Sequence, residues 1–141
     1  MGISKIHREE ELWPLLERLG DAQSHYLLER FVPGEIFHCE GVTWQGETLF
    51  ALAFQYGQPP MQTMHEGGVF TTRVLERDGP EATAVRAMQR EILRALTLRT
   101  GVTHTEFIRA HADGEFYFLE TAARVGGAYI AEVVQFGGTL M

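Results

Sequence analysis

Near the end of the chain runs GVTHTEFIRAHADGEFYFLETAARVGGAY, residues 101–129. Glu106 and Glu120 stand there in otherwise apolar or aromatic runs, HTEF and FYFLE, and the second is followed by Arg124 and a Gly126-Gly127 pair. Successive side chains of a strand point to opposite faces. His104, Glu106 and Ile108 therefore share one face of a first strand, and Phe116, Phe118 and Glu120 share a face of the next. A hairpin turning near Ala112 to Gly114 could place the two glutamates close together on one sheet face. Converging carboxylates repel unless a cation lies between them. Their oxygens suit Mg²⁺, which usually takes one or two carboxylates plus water and phosphate oxygens. Arg124, four residues beyond Glu120, could hold a phosphate by a bidentate fork. Gly126 and Gly127, opening a helix, allow close backbone approach and an anion at the helix N-terminus. Taken singly, these features have ordinary meanings: a strand-end glutamate is commonly a solvated edge residue, and Gly-Gly before a helix is commonly a turn. Their combination points to a site, which spacing alone does not prove.

These residues need elements to position them. Leu12, Leu15, Leu16 and Leu19 lie at helical spacing within Glu9 to Leu19, and Pro14 predicts a helix that starts late or bends. HYLLERF (25–31) reads as a strand, VPGE as a turn, Glu35 to Trp44 as a second strand, QGE as a turn, and TLFALAFQY as a third strand. Together they predict a three-stranded antiparallel meander. Residues 57–70, GQPPMQTMHEGGVF, are rich in glycine and proline and read as a long loop. Pro80 to about Thr100 predicts the longest helix, with Val85, Met88, Ile92 and Leu96 as its buried stripe and Gly101 as its stop. The hairpin turning at ADGE follows, and Ala128 to Phe136 predicts a last short helix. The fold class is α+β, a mostly antiparallel sheet with packed helices, in one domain over residues 1–141.

Bulk properties narrow the partners. With 141 residues the chain can bury one core. A formal net charge of -7 argues against a nucleic-acid surface and against an anionic membrane. One cysteine, Cys39, cannot make an internal disulfide and fits a reducing, cytoplasmic setting. No apolar run approaches the roughly 20 residues needed to cross a bilayer, and MGISKI lacks a secretory core.

The segment HTEFIRAHADGEFYFLETAARVGG resembles the metal-binding end of the ATP-grasp superfamily. LLERFVPGE resembles that superfamily's hinge, and FHCEGVTWQGE the strand and turn that follow it. The likeness runs through nearly the whole chain, from about Gly2 to Leu140. It implies the C-terminal lobe of a ligase that joins a carboxylate to an amine or similar nucleophile through an acyl-phosphate, with ATP and Mg²⁺ or Mn²⁺ as cofactors. Glu106 and Glu120 would be the metal ligands, and Arg124 would steady the transferred phosphoryl group or the acyl-phosphate. Glu29 would accept from the adenine amino group or hold the hinge. The backbone of Arg30, Phe31 and Val32 would contact the ring, and Glu35 would bind ribose hydroxyls. His104 and Gly67-Gly68 would lie near substrate, although His38 and His104 read first as satisfied sheet histidines. Two departures stand out. Ala122 occupies the place of an asparagine, so a second Mg²⁺ loses a ligand. Lys5 is the chain's single lysine, with Met1 to Lys5 resembling the tail of a strand in the preceding lobe, and the phosphate-holding lysines of that lobe are absent. The resemblance thus implies a lobe inactive alone, whose partner is the missing N-terminal half or a second copy docked on an exposed apolar seam. A nucleotide-binding regulatory module and a structural assembly domain are the alternatives.

Overall fold

A computed structural model describes residues 3–139. The chain divides after Val32 into two units. In the first, a 3-10 turn over Glu9–Glu11 leads into helix α1, Leu12–Leu19. The late start is as expected: Pro14 falls in the first turn of α1, where no intrahelical partner needs its missing N–H. Leu12, Leu15, Leu16 and Leu19 are half-buried and Trp13 is exposed. A second 3-10 turn, Gly20–His25, then occupies the start of the stretch predicted as a strand. Tyr26 to Val32 form no strand at all, and Leu27 is 80% exposed. Apolar residues favour extended backbone, but a strand exists only where a partner's N–H and C=O groups are within reach. Met1 and Gly2 lie outside the described residues, and Ile3 to His7 form no strand.

The second unit is a five-stranded antiparallel sheet in the order β3-β2-β1-β4-β5. Its strands are β1 (Gly34–Trp44), β2 (Glu47–Tyr56), β3 (Thr72–Val74), β4 (Gly101–Ala110) and β5 (Phe116–Ala122). Gln45 and Gly46 join β1 to β2 with φ of 51° and 88°. Positive φ at both positions suits the right-handed twist of a two-residue hairpin. The predicted meander is corrected in one respect: the strand on the other side of β1 is β4, from far along the chain. The expected long loop holds a helix, α2 (Pro60–Glu66), and is followed by the short edge strand β3, which local pattern did not reveal.

Helix α3 (Pro80–Ala95) packs on one face of the sheet, and Phe37, Cys39, Ala53, Leu75, Ala82, Val85 and Phe107 form the core between them. The buried positions of α3 are Ala82, Val85, Gln89 and Leu93, so the stripe is rotated from the predicted one. Met88 and Ile92 flank it, and Leu96 is exposed beyond the helix end. A polar residue takes the central place because its amide is satisfied there: Gln89 Oε1 accepts from Cys39 Sγ at 2.9 Å and its Nε2 donates to Thr103 Oγ1 at 3.3 Å. The helix ends before Gly101, which is instead the first residue of β4; the turn is made by Thr97 at φ 55°. The last helix, α4, spans Ile130–Thr139.

Candidate active site on the open sheet face

Alternation sends Phe37 and Cys39 of β1 toward α3 and His38 and Glu40 to the opposite face. On β4 it does the same with Phe107 against His104 and Glu106. Register pairs His38 with Glu106 and Glu40 with His104. Two H-x-E sequences, HCE in β1 and HTE in β4, thus form a square in which each histidine is flanked by carboxylates across and along the strands. Pairs of this kind attract across an antiparallel ladder.

The bonds follow from that square. His38 Nδ1 lies 3.0 Å from Glu40 Oε1, and His104 Nδ1 contacts the same oxygen more closely. His104 Nε2 lies 3.3 Å from Glu106 Oε1, which also accepts from the Tyr56 hydroxyl at 2.9 Å. Glu40 Oε2 accepts from the backbone N–H of Gly126 at 3.2 Å. His38 and Glu40 are 0% and 3% exposed and His104 is 6% exposed. An ionised carboxylate is held in so dry a place only by such donors.

The charge states are set accordingly. Burial alone would raise the Glu40 pKa, but the bonds from His104 and His38 outweigh it and hold the carboxyl at about 2. Burial opposes a charge on His104, yet its bonds to Glu106 and Glu40 raise its pKa to about 9. With a carboxylate on each ring nitrogen, and neither able to donate, His104 is an imidazolium. His38 is pushed down by burial and is neutral. Burial likewise disfavours charge on Glu106, but His104 and Tyr56 bring its pKa below the ordinary value.

Glu120 stands opposite Glu106 in register. A bulge between Glu106 and Phe107 decides this, since Phe118 pairs with Phe107 and Leu119 is the extra residue. The expectation that Phe116, Phe118 and Glu120 share a face is therefore corrected: the bulge turns Glu120 away from Phe118 and onto the face of Glu106. Glu120 is exposed. Arg124 is exposed in the turn after β5, where its guanidinium donates to the Val125 carbonyl at 2.9 Å. The Gly126 N–H, read from sequence as an anion site, already holds the chain's own Glu40 carboxylate. A Cβ at Gly126 would lie 2.9 Å from His104 Nδ1 and 3.0 Å from Glu40 Oε1, so glycine alone fits.

Glu35 is on the α3 side of the sheet, bonded by the guanidinium of Arg109, which also pairs with Glu81 at 3.1 Å. The structure does not bring its side chain to the face of Glu106. Glu29, Arg30, Phe31 and Val32 belong to the first unit. Glu29, Arg30 and Phe31 are exposed there, with the Lys5 ammonium 4.3 Å from the Phe31 ring centre. Glu40 and Tyr56 were missed altogether. The repeated H-x-E was the available signal, but it becomes a site only when β4 is known to lie beside β1.

No family model matches the chain. It is 26% identical over 136 residues to an L-arginine-specific L-amino acid ligase of Bacillus subtilis, covering 94% of this chain and 32% of that protein. Among solved structures, an L-amino acid ligase from Bacillus licheniformis superposes with a TM-score of 0.68 at 21% identity, again over 94% of this chain and 32% of the other. D-alanine–D-alanine ligase from Bacillus anthracis superposes at 0.63 with 15% identity, over 97% and 46%. The sheet and helices of this chain share the fold of part of the ATP-grasp ligases. The chain spans about a third of the length of the L-amino acid ligases it matches.

The open face can be tested for the metal that the resemblance to the ATP-grasp superfamily implies. Glu106 and Glu120 offer carboxylate oxygens on one face of neighbouring strands, and both bonds to Glu106, from Tyr56 and His104, go to Oε1. This donor set fits Mg²⁺, a hard cation served by one or two carboxylates. No helix among the described residues is long and apolar enough to cross a membrane.

Proposed function

We propose that the open sheet face is the Mg-ATP side of a ligase that joins a carboxylate to an amine or similar nucleophile. The observation that carries this is the bulge in β5, which sets Glu120 opposite Glu106 on the face bearing the buried His–Glu square. Glu106 and Glu120 would hold Mg²⁺ or Mn²⁺, which supplies charge neutralisation at the phosphates. Tyr56 and His104 orient the Glu106 carboxylate by occupying Oε1, so that Oε2 is the oxygen turned to a ligand. Arg124, in the turn after β5, would fork the transferred phosphoryl group. In the reaction, a substrate carboxylate oxygen attacks the γ-phosphorus of ATP and ADP leaves. The amine then attacks the acyl carbon, phosphate leaves, and the amine gives up its proton. Positioning and charge stabilisation, rather than covalent participation by the protein, carry such a transfer. Glu29 and the backbone of Arg30 to Val32 are the proposed adenine hinge, by resemblance to the superfamily. The relatives' names point to amino acids as substrates.

The test is Mn²⁺-induced line broadening in the isotopically labelled chain. Broadening should centre on residues 104–108 and 118–125 and weaken in Glu106→Gln and Glu120→Gln. Diffuse broadening over scattered surface acids, unchanged in both variants, would overturn the site.

A further inference from the structure

We propose that His38, Glu40 and His104 form a second metal site, beside the carboxylate pair, that takes Zn²⁺ or a similar borderline first-row cation. One ligand atom from each residue lies within 4.8 Å of the others, and all three residues are buried. Both Nδ1 atoms face the same oxygen, Glu40 Oε1, at a separation of 3.0 Å for His38. Ligands of a tetrahedral ion bound at roughly 2.0–2.2 Å stand a little over 3 Å apart, so a cation fits once His104 Nδ1 gives up its proton to solvent and moves away from Glu40 Oε1.

The outer atoms of the three residues are already held. His38 Nε2 meets Thr72 Oγ1 at 2.8 Å, His104 Nε2 meets Glu106, and Glu40 Oε2 accepts from Gly126. Metal-bound histidines almost always have their second nitrogen bonded in this way, which orients the ring and fixes its tautomer. The His38 ring is further fixed by stacking on Phe54, with centroids 4.6 Å apart and planes 2° from parallel.

The Thr72 hydroxyl donates to the Gln55 carbonyl at 3.2 Å, so its oxygen can receive an Nε2–H from His38 at 2.8 Å. When a cation binds, that tautomer leaves the Nδ1 lone pair to ligate it. Two imidazoles and one carboxylate select zinc-like ions over Mg²⁺, which prefers oxygen ligands. An ion here would tie Glu40, and through it the Gly126 turn that follows Arg124, to the sheet.

Co²⁺ serves as the coloured stand-in for Zn²⁺ in a titration of the full 141-residue chain. The expected result is a saturable visible absorption of tetrahedral type, displaced by one equivalent of Zn²⁺ and not by excess Mg²⁺. His38→Gln and His104→Gln should weaken it roughly tenfold or more, while Glu120→Gln leaves it unchanged. Zn²⁺-induced shifts of the His38 and His104 Nδ1 resonances in the unaltered chain give the same answer without a variant. No saturable binding, or no movement of these two resonances, would overturn the proposal. So would a site lost in Glu120→Gln and kept in His38→Gln, since the ion would then lie at the carboxylate pair. Failure of the Mn²⁺ broadening with Co²⁺ binding intact would sink the ligase site and leave this one standing.

Discussion

Glu40 is the residue on which the open face turns. It is buried, it accepts from two imidazoles and a backbone N–H, and its loss strands the His104 imidazolium between Glu106 and nothing. Glu40→Ala should therefore destabilise the fold by about 3–5 kcal/mol, as for other broken buried pairs, measured by urea denaturation. The same group sets an acid limit. Its folded pKa of about 2 lies below the ordinary 4.5, so the unfolded chain binds the extra proton. The stabilisation is present in full above about 4.5 and is lost as pH falls toward 2. His104 has the opposite sign, with a folded pKa of about 9 against 6.5. Its contribution is full below about 6.5 and is lost as pH rises through 9. The urea midpoint should plateau between these limits and decline on both sides, and Glu40→Gln should flatten both arms. A midpoint independent of pH from 3 to 10 would show that the square does not ionise as described.

At the scale of elements, two irregularities position the site. The bulge in β5 makes Leu119 and Glu120 together oppose Glu106. Deleting Leu119 would make Glu120 adjacent to Phe118, and ordinary alternation would then place it on the same face as Glu106. The Mn²⁺ site should survive that deletion, whereas Glu120→Gln should remove it; line broadening in the two variants decides. The second irregularity is polar. Gln89 sits at the centre of the α3 stripe because Cys39 and Thr103 on the sheet bond its amide. Gln89→Ala should cost about 1–3 kcal/mol by leaving those groups unpaired, and a change smaller than a few tenths would show the amide to be incidental. These elements were legible to different degrees. The β1–β2 and β4–β5 hairpins could be read because turn and alternation are local. The stretch from His25 to Phe31 could not, because nothing within it says whether a partner strand will lie beside it. Its failure to form a strand is a tertiary outcome.

For the whole molecule, the relevant length is the third of its ligase relatives that the chain spans. In the proposed site Glu106, Glu120 and Arg124 would bring charge for a metal and a phosphate, and Lys5 is the chain's one lysine. The 141-residue chain by itself should release little or no ADP from ATP when a carboxylate substrate and an amine are added. A coupled assay showing carboxylate-dependent ADP release would refute this and show that these 141 residues suffice for the reaction.

What the amino-acid sequence determined by itself was much of what has a short physical range. The late start of α1 around Pro14, the helix after Pro80 and the hairpin turning at ADGE all follow from neighbours along the chain, whereas the bulge that turns Glu120 onto the face of Glu106 was not legible. The ordered motifs also carried the resemblance to the ATP-grasp superfamily. Only the tertiary structure decided which strand lies against β1, and with it the His38–Glu106 and Glu40–His104 pairs. Those residues are more than sixty positions apart and are brought together by sheet order, which burial of the α3-facing core selects. The same packing placed Glu35 with Arg109 on the far face and closed Gly126 over Glu40, where an open anion site had been expected. Local spacing told which residues could do chemistry; the folding of β4 beside β1 told which of them meet.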